Sequence, residues 1–158
     1  GITEYYNAAG QISRVDGPAI ILPSGEREYY IDNKLHRDYD QPAIVNDRFR
    51  GWYLNGLLNR KTDRPAIIWA DGTEEYYRNG ELHRDGAKPA IIRPEGTEEY
   101  YLFGEPVTKE DAYNYAGLTS PGVTEEEHNA EQSRIKMWKQ HQQEAIIFTQ
   151  RIFGNINV

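Results

Sequence analysis

The chain has 158 residues with 18 Lys and Arg against 25 Asp and Glu, a formal charge of −7 at pH 7, which argues against nucleic acid or anionic lipid as the main partner. It contains no cysteine, so disulfides and thiolate metal sites are excluded, and a cytoplasmic location is expected. Hydrophobic residues make up only 38% and none of their runs approaches the ~20 residues of a membrane span; no membrane association is expected, and burial must come largely from 12 tyrosines and three tryptophans.

From the N-terminus one phrase recurs. Aromatic pairs stand at Tyr5-Tyr6, Tyr29-Tyr30, Trp52-Tyr53, Tyr76-Tyr77 and Tyr100-Tyr101, spaced 24, 23, 24 and 24 residues. Pro-Ala pairs begin at Pro18, Pro42, Pro65 and Pro89, and Arg14, Arg37, Arg60 and Arg84 keep step with them. Three markers with one period predict a repeat architecture, in which a unit cannot bury its own apolar face and leans on its neighbours. Within a unit, Pro-Ala-Ile-Ile is a β-branched run and Glu-Glu-Tyr-Tyr an aromatic one, both strand-like. Turns ending at Gly25, Gly72 and Gly96 separate them. Asn55-Gly56 and Asn79-Gly80 suit type I′ hairpins, and Asp32-Asn33 tolerates the same geometry. Before Trp52, Asn46-Asp47 replaces the Asp-Gly with one residue fewer, which accounts for the single 23-residue step. The fold class is therefore mainly β with C-terminal α. Residues 1–106 form a five-unit antiparallel β-meander sheet of about 23–24 residues per unit, with roughly nine main strands.

Neighbouring residues of a strand face opposite ways, so each aromatic pair puts one ring on each side. Tyr5, Tyr29, Trp52, Tyr76 and Tyr100 form one ladder, and the second member of each pair forms the other. At least one ladder needs a cover. The tail, residues 107–158, supplies one. Thr108 with Asp111 reads as a capping box opening a short helix over about 108–117. Leu118–Gly122 is a linker. Thr124 with Glu127 opens a long helix over about 124–152, with the apolar stripe Ile135, Trp138, Gln142, Ala145, Phe148 and Ile152. Its length of ~45 Å matches a sheet ~40 Å across, so it either lies on the sheet or projects to a partner or a second copy.

The unit E-Y-Y-x-N-G-x-L-H-R…D-G-T-x-E resembles the MORN repeat over about residues 3–104, best from Gly72 to Ile92. A longer loop ending in Pro-Ala-Ile-Ile replaces the MORN Gly-x-Gly after the His. In this the H-R-x-x-x-x-P-A wording is more similar to MORN-variant repeats of phage, giant-virus and bacterial proteins. The resemblance implies a β-hairpin array that works by binding other proteins, without catalysis. It suggests a viral accessory protein that binds and inhibits a host defence protein, in the host cytosol. The alternative is a structural subunit of a viral or phage assembly; carbohydrate binding by exposed aromatic rows comes third.

Little in the chain suggests chemistry. His36 and His83 hold one repeat position, filled by Ser13 and Asn59 elsewhere. They lie ~20 Å apart by strand spacing, too far to share an ion, and a turn hydrogen bond that Ser and Asn can also make is the better reading. Asp16, Asp38, Asp40, Asp63 and Asp85 lie within three residues of the repeated arginines, so local neutralisation is expected to outweigh anion binding. Adjacent carboxylates such as Glu74-Glu75 face opposite ways and cannot act on one bond. No nucleotide-binding or nucleophile-elbow motif is present, and neither catalysis, cofactor nor metal is expected. The candidate partner-binding residues are Tyr29, Trp52, Tyr76 and Tyr100 of the first ladder, Arg37, Arg60 and Arg84 of the arginine row, and Ile135 and Trp138 of the tail. The partner is expected to be another protein, with homo-oligomerisation through the C-terminal helix as the alternative.

Overall fold

The computed structural model describes residues 1–118 and, in the tail, the helical positions Ala130, Ser133, Arg134, Lys136, Met137 and Gln140. Its strands are β1 (Thr3–Glu4), β2 (Ile20–Ile21), β3 (Arg27–Glu28), β4 (Tyr30–Ile31), β5 (Lys34–Leu35), β6 (Ile44–Val45), β7 (Phe49–Gly51), β8 (Tyr53–Leu54), β9 (Leu57–Leu58), β10 (Ile67–Trp69), β11 (Glu74–Glu75), β12 (Tyr77–Arg78), β13 (Glu81–Leu82), β14 (Ile91–Ile92), β15 (Glu98–Leu102) and β16 (Glu105–Val107), followed by helix α1 (Lys109–Tyr115). The protein is mainly antiparallel β, as the repeat predicts. Ten strands form one meander in the order β1-β2-β3-β6-β7-β10-β11-β14-β15-β16, and three hairpins, β4-β5, β8-β9 and β12-β13, stand beside it. The units are numbered one to five by their aromatic pairs. The long tail helix expected over 124–152 lies outside the described residues apart from those isolated positions.

In units two to four the predicted strands are not continuous through the aromatic pair, because each of these units forks there, whereas in unit five β15 runs unbroken through Tyr100 and Tyr101. The first aromatic belongs to both halves of the fork. The Tyr76 amide donates to the Ala90 carbonyl at 2.8 Å, while the Tyr76 carbonyl accepts from the His83 amide at 3.0 Å. Tyr29 and Trp52 repeat the pattern with Ala43 and His36, and with Ala66 and Asn59. The physical reason lies in the Pro-Ala pair. Proline has no N–H with which to carry the ladder past the alanine. The main sheet ends at that point, and the second aromatic pairs across its own hairpin instead, Tyr30 with Leu35, Tyr53 with Leu58 and Tyr77 with Leu82. Successive hairpins are then joined by single bonds. The turn glycines Gly56, Gly80 and Gly104 donate to the carbonyls of Leu35, Leu58 and Leu82. The residues before these glycines, Asn55, Asn79 and Phe103, all have φ of 51–52°, the type I′ geometry that Asn-Gly favours.

Burial concentrates at the fork. Ala19, Ala43, Ala66 and Ala90 are completely buried, and Trp52, Tyr76 and Tyr100 nearly so. Small alanines let the backbone of one unit lie close beneath the ring of the next. On the opposite face Ile67 and Ile91 are buried, and Phe49 meets Trp69 with ring centroids 5.2 Å apart. Gly51 stands where units four and five carry Glu75 and Glu99, and the Tyr53 ring lies over it. A Cβ there would meet Tyr53 Cε2 at 2.9 Å and Phe49 Cε2 at 3.1 Å.

The last unit is closed by α1. Thr108 caps it, accepting from the Asp111 amide while the Asp111 carboxylate accepts from the Thr108 amide, the reciprocal capping box the sequence predicts. At its other end Gly117, at φ 70°, donates to Asn114 and Leu118 donates to Tyr113, a Schellman closure. Tyr115 sets its edge against Phe103 and His83, whose rings stack at 4.2 Å. A repeat array needs a cap of this kind, because its terminal unit lacks a neighbour.

The close approach at Gly51 makes a direct test of the packing. Gly51→Ala forces aromatic rings on both sides to shift and is expected to cost about 1–3 kcal/mol in chemical denaturation; a stability unchanged from wild type would refute the Tyr53–Gly51–Phe49 packing.

Candidate functional site

The second loop of each unit, between the repeated arginine and the Pro-Ala pair, lies along one edge of the array. In units two to four its turn holds two consecutive residues at positive φ: Tyr39 (61°) and Asp40 (54°), Thr62 (67°) and Asp63 (50°), Gly86 (76°) and Ala87 (58°). This is the type I′ pattern, and Gln41 N–H donates back to Asp38. Glycine, Asn and Asp adopt such conformations at little cost, whereas an aromatic or β-branched residue is strained in them.

The arginines are clamps. The guanidinium of Arg37 lies 3.6 Å over the Tyr29 ring, that of Arg60 3.8 Å over Trp52 and that of Arg84 3.6 Å over Tyr76. Each also donates through Nη1 to the carbonyl of its own loop's proline, Pro42, Pro65 or Pro89, at 3.1–3.3 Å. The candidate contact residues of the first ladder therefore lie largely in the core, while Tyr5 at its start stays exposed. Trp52, Tyr76 and Tyr100 are only 7–8% exposed, and Tyr29 is half-buried. A guanidinium covers three of the four rings, and over Tyr100 that place is taken by Lys109 Nζ, 6.0 Å from the centroid. Ile135 and Trp138 lie outside the described residues.

The carboxylates do not pair as chain proximity suggests. Arg14 does take Asp16, two residues on. Arg60, however, reaches Asp40 in the loop of the preceding unit, Nε at 2.7 Å and Nη2 at 3.0 Å, and Arg84 reaches Asp63 in the same way. Each of these carboxylates is shared with a second cation, Asp40 with Arg64 and Asp63 with Lys88. The left-handed turn carries the aspartate away from its own arginine and toward the next unit. The Arg60 hydrogen bond holds the Asp40 carboxyl below its ordinary range, and the Arg84 bond does the same for Asp63.

The histidines stitch turns together. His83 Nδ1 accepts the Phe103 amide, so Nε2 carries the proton toward Asp85, 3.0 Å away. His36 holds the Asn55 amide and Asp38 likewise. In unit three Asn59 does the same work by donating to Asn79. Among the described residues no three His, Asp or Glu side chains converge as a metal site, and no helix is long and apolar enough to cross a membrane.

Two grooves open along this edge. Between units two and three a cavity of about 290 Å³ is lined by Arg37, Tyr39, Trp52, Tyr53, Arg60 and Lys61. Between units three and four a cavity of about 440 Å³ is lined by Lys61, Arg64, Tyr77, Arg78, Arg84 and Lys88, among others. Sequence reasoning missed Tyr39, Lys61, Arg64 and Lys88. Their signal is variation inside the repeat: the residue before the Pro-Ala pair changes from Gly17 to Gln41, Arg64 and Lys88.

No family model, curated protein or solved structure matches the chain.

The clamp and the buried phenols each yield a test. Arg60→Ala removes a ring contact, a backbone hydrogen bond and a bidentate ion pair together, and is expected to cost about 2–4 kcal/mol. Arg78→Ala removes only an exposed pair with Asp85 and should stay within about 0.5 kcal/mol. Equal losses in urea melts would remove the clamp from its central place. Burial, with the Glu28 charge beside Tyr30 and hydrogen bonds to Glu74 and Glu98 from Tyr76 and Tyr100, pushes all three phenols up to about 12. The folded protein thus holds these protons more tightly than the unfolded chain, whose tyrosines titrate near 10. Stability is intact below about pH 10 and is lost as pH rises toward about 12. On an alkaline ramp, part of the tyrosinate absorbance should appear only together with loss of the circular dichroism signal; full ionisation near pH 10 with the fold intact would contradict this.

Proposed function

We propose that the chain is a MORN-like, protein-binding repeat scaffold that meets its partner with the loop edge, not with its aromatic ladders. The observation that carries this reading is Tyr39. It is 94% exposed and is held at φ 61° in a turn position that Gly or Asn would fill without strain. Strain of about 1–3 kcal/mol persists where surrounding structure over-determines it, and such sites cluster at functional positions. Here the surroundings are the Asp40 carboxylate clamped by Arg60 and the Asp40 carbonyl accepting from Trp52 Nε1 at 3.0 Å. Tyrosine is also among the side chains that most often anchor protein interfaces, and this one stands on the rim of the groove between units two and three.

Binding of this kind serves inhibition of a partner as well as assembly into a larger body, and solution mass separates them: an inhibitor is a small discrete species, while an assembly subunit self-associates. Tyr39→Asn relieves the strain, so its stability should equal or exceed that of wild type by up to about 1 kcal/mol. The same substitution should weaken retention of the partner in a pull-down. A partner retained equally by the wild-type and Tyr39→Asn chains would overturn the assignment of this edge.

A further inference from the structure

We infer that the groove between units three and four receives an acidic segment of the partner protein, a stretch of carboxylates laid against Lys61, Arg64 and Lys88. This deepens the protein-binding reading and rests on it. The argument starts from charge. The chain as a whole is at −7, yet the two junctions around this groove bring five cations, Arg60, Lys61, Arg64, Arg84 and Lys88, to two carboxylates, Asp40 and Asp63. Each carboxylate is shared by an inner and an outer cation. The inner ones, Arg60 and Arg84, have side chains only 12–13% exposed and belong to the clamp. The outer ones, Arg64 and Lys88, are 56% and 51% exposed, so half of each cation still faces the groove. Each triad thus keeps one positive charge, and Lys61, on the groove wall between them, has no ion pair among the described residues. Arg78 and Asp85 pair with each other across the wall and add no net charge.

The arrangement is specific to this stretch of the array. The positions equivalent to Arg64 and Lys88 are Gly17 in unit one and Gln41 in unit two, so no second cation is available there. A positive groove on a chain of net negative charge orients an acidic partner toward it; such complementarity fixes register and speeds encounter. The site is pre-formed, since Asp40 and Asp63 hold the outer cations in place before any ligand arrives. A nucleic acid offers phosphates along its whole length, and the chain's net charge of −7 opposes it.

The test uses the full chain and a fluorescent peptide of consecutive glutamates, read by anisotropy. Wild type should bind it at low ionic strength, and added salt should weaken the binding. The double substitution Lys61→Glu with Arg64→Glu should lose about tenfold or more in affinity. Arg27→Glu with Lys34→Glu, the same charge change at two exposed residues of unit two, should retain far more. Thermal melts of both variants confirm that each is folded. No binding by wild type, or equal loss in the two variants, would overturn the inference. So would tighter binding of a single-stranded oligonucleotide than of the peptide. If the groove variant still retains the lysate partner as wild type does, the acidic-segment inference falls while the protein-binding reading stands; if wild type retains no partner, that reading falls with it.

Discussion

An arginine laid across an aromatic ring, with its other edge bonded to a proline carbonyl, is the interaction on which the remainder of the structure hangs. A chain with 38% hydrophobic residues has few aliphatic side chains with which to cover its rings, and among the described residues no second sheet layer does so. The guanidinium solves both problems. It is planar and weakly hydrated, so it stacks on a ring at about the same distance as another ring would, and its remaining donors stay satisfied at the rim. The proline supplies the complement. Lacking an N–H, it ends the main ladder, and its carbonyl is left to accept from Nη1. Pro, Arg and the first aromatic therefore act as one device, which explains why the three markers keep a common period.

The same device determines where charge falls. With the inner edge of the guanidinium against the ring and the proline, Nε and Nη2 of Arg60 and Arg84 point along the array and meet a carboxylate of the preceding unit, whereas Arg14 takes Asp16 of its own loop. The left-handed turns place Asp40 and Asp63 there. Cohesion between units thus runs through three channels at successive depths: sheet hydrogen bonds in the middle, single amide bonds between hairpin turns on one side, and Arg–Asp pairs on the loop edge. Because the third channel is half-exposed, it joins neighbouring units and also presents charge to solvent.

How much of this the sequence could say depends on contact range. The meander, the hairpin turns at Asn55-Gly56 and Asn79-Gly80, the short connection at Asn46-Asp47 and the capped helix after Thr108 are local or strictly periodic, and they were legible. The capping box is complete within four residues. The Arg60–Trp52 contact spans a hairpin, and the Arg60–Asp40 pair spans 20 residues; proximity in the chain pointed to the wrong carboxylate. The fork was hidden for a different reason. Glu-Glu-Tyr-Tyr followed by Asn-Gly has the alternation of one unbroken strand, and only the missing proline N–H in a neighbouring run divides it. Whether Trp52, Tyr76 and Tyr100 were core or contact residues consequently stayed open, since nothing local showed that a cation eight or nine residues away would cover each ring.

Strict repetition also supports the proposal that recognition belongs on the loops. The aromatic, proline, alanine and arginine positions are all committed to the clamp and the fork, and a change at any of them disturbs two units at once. The loop between arginine and proline is bound by less. It must supply two left-handed residues, and in units two and three the second must be an aspartate able to reach forward. Its other positions read Asp-Tyr, Lys-Thr and Asp-Gly in successive units, and the residue before each proline passes from Gln41 to Arg64 to Lys88. This is an exposed part of the repeat where side chains differ while the backbone is held still. A binding surface requires that combination, because individual side chains confer specificity and a rigid scaffold limits the entropy lost when they engage.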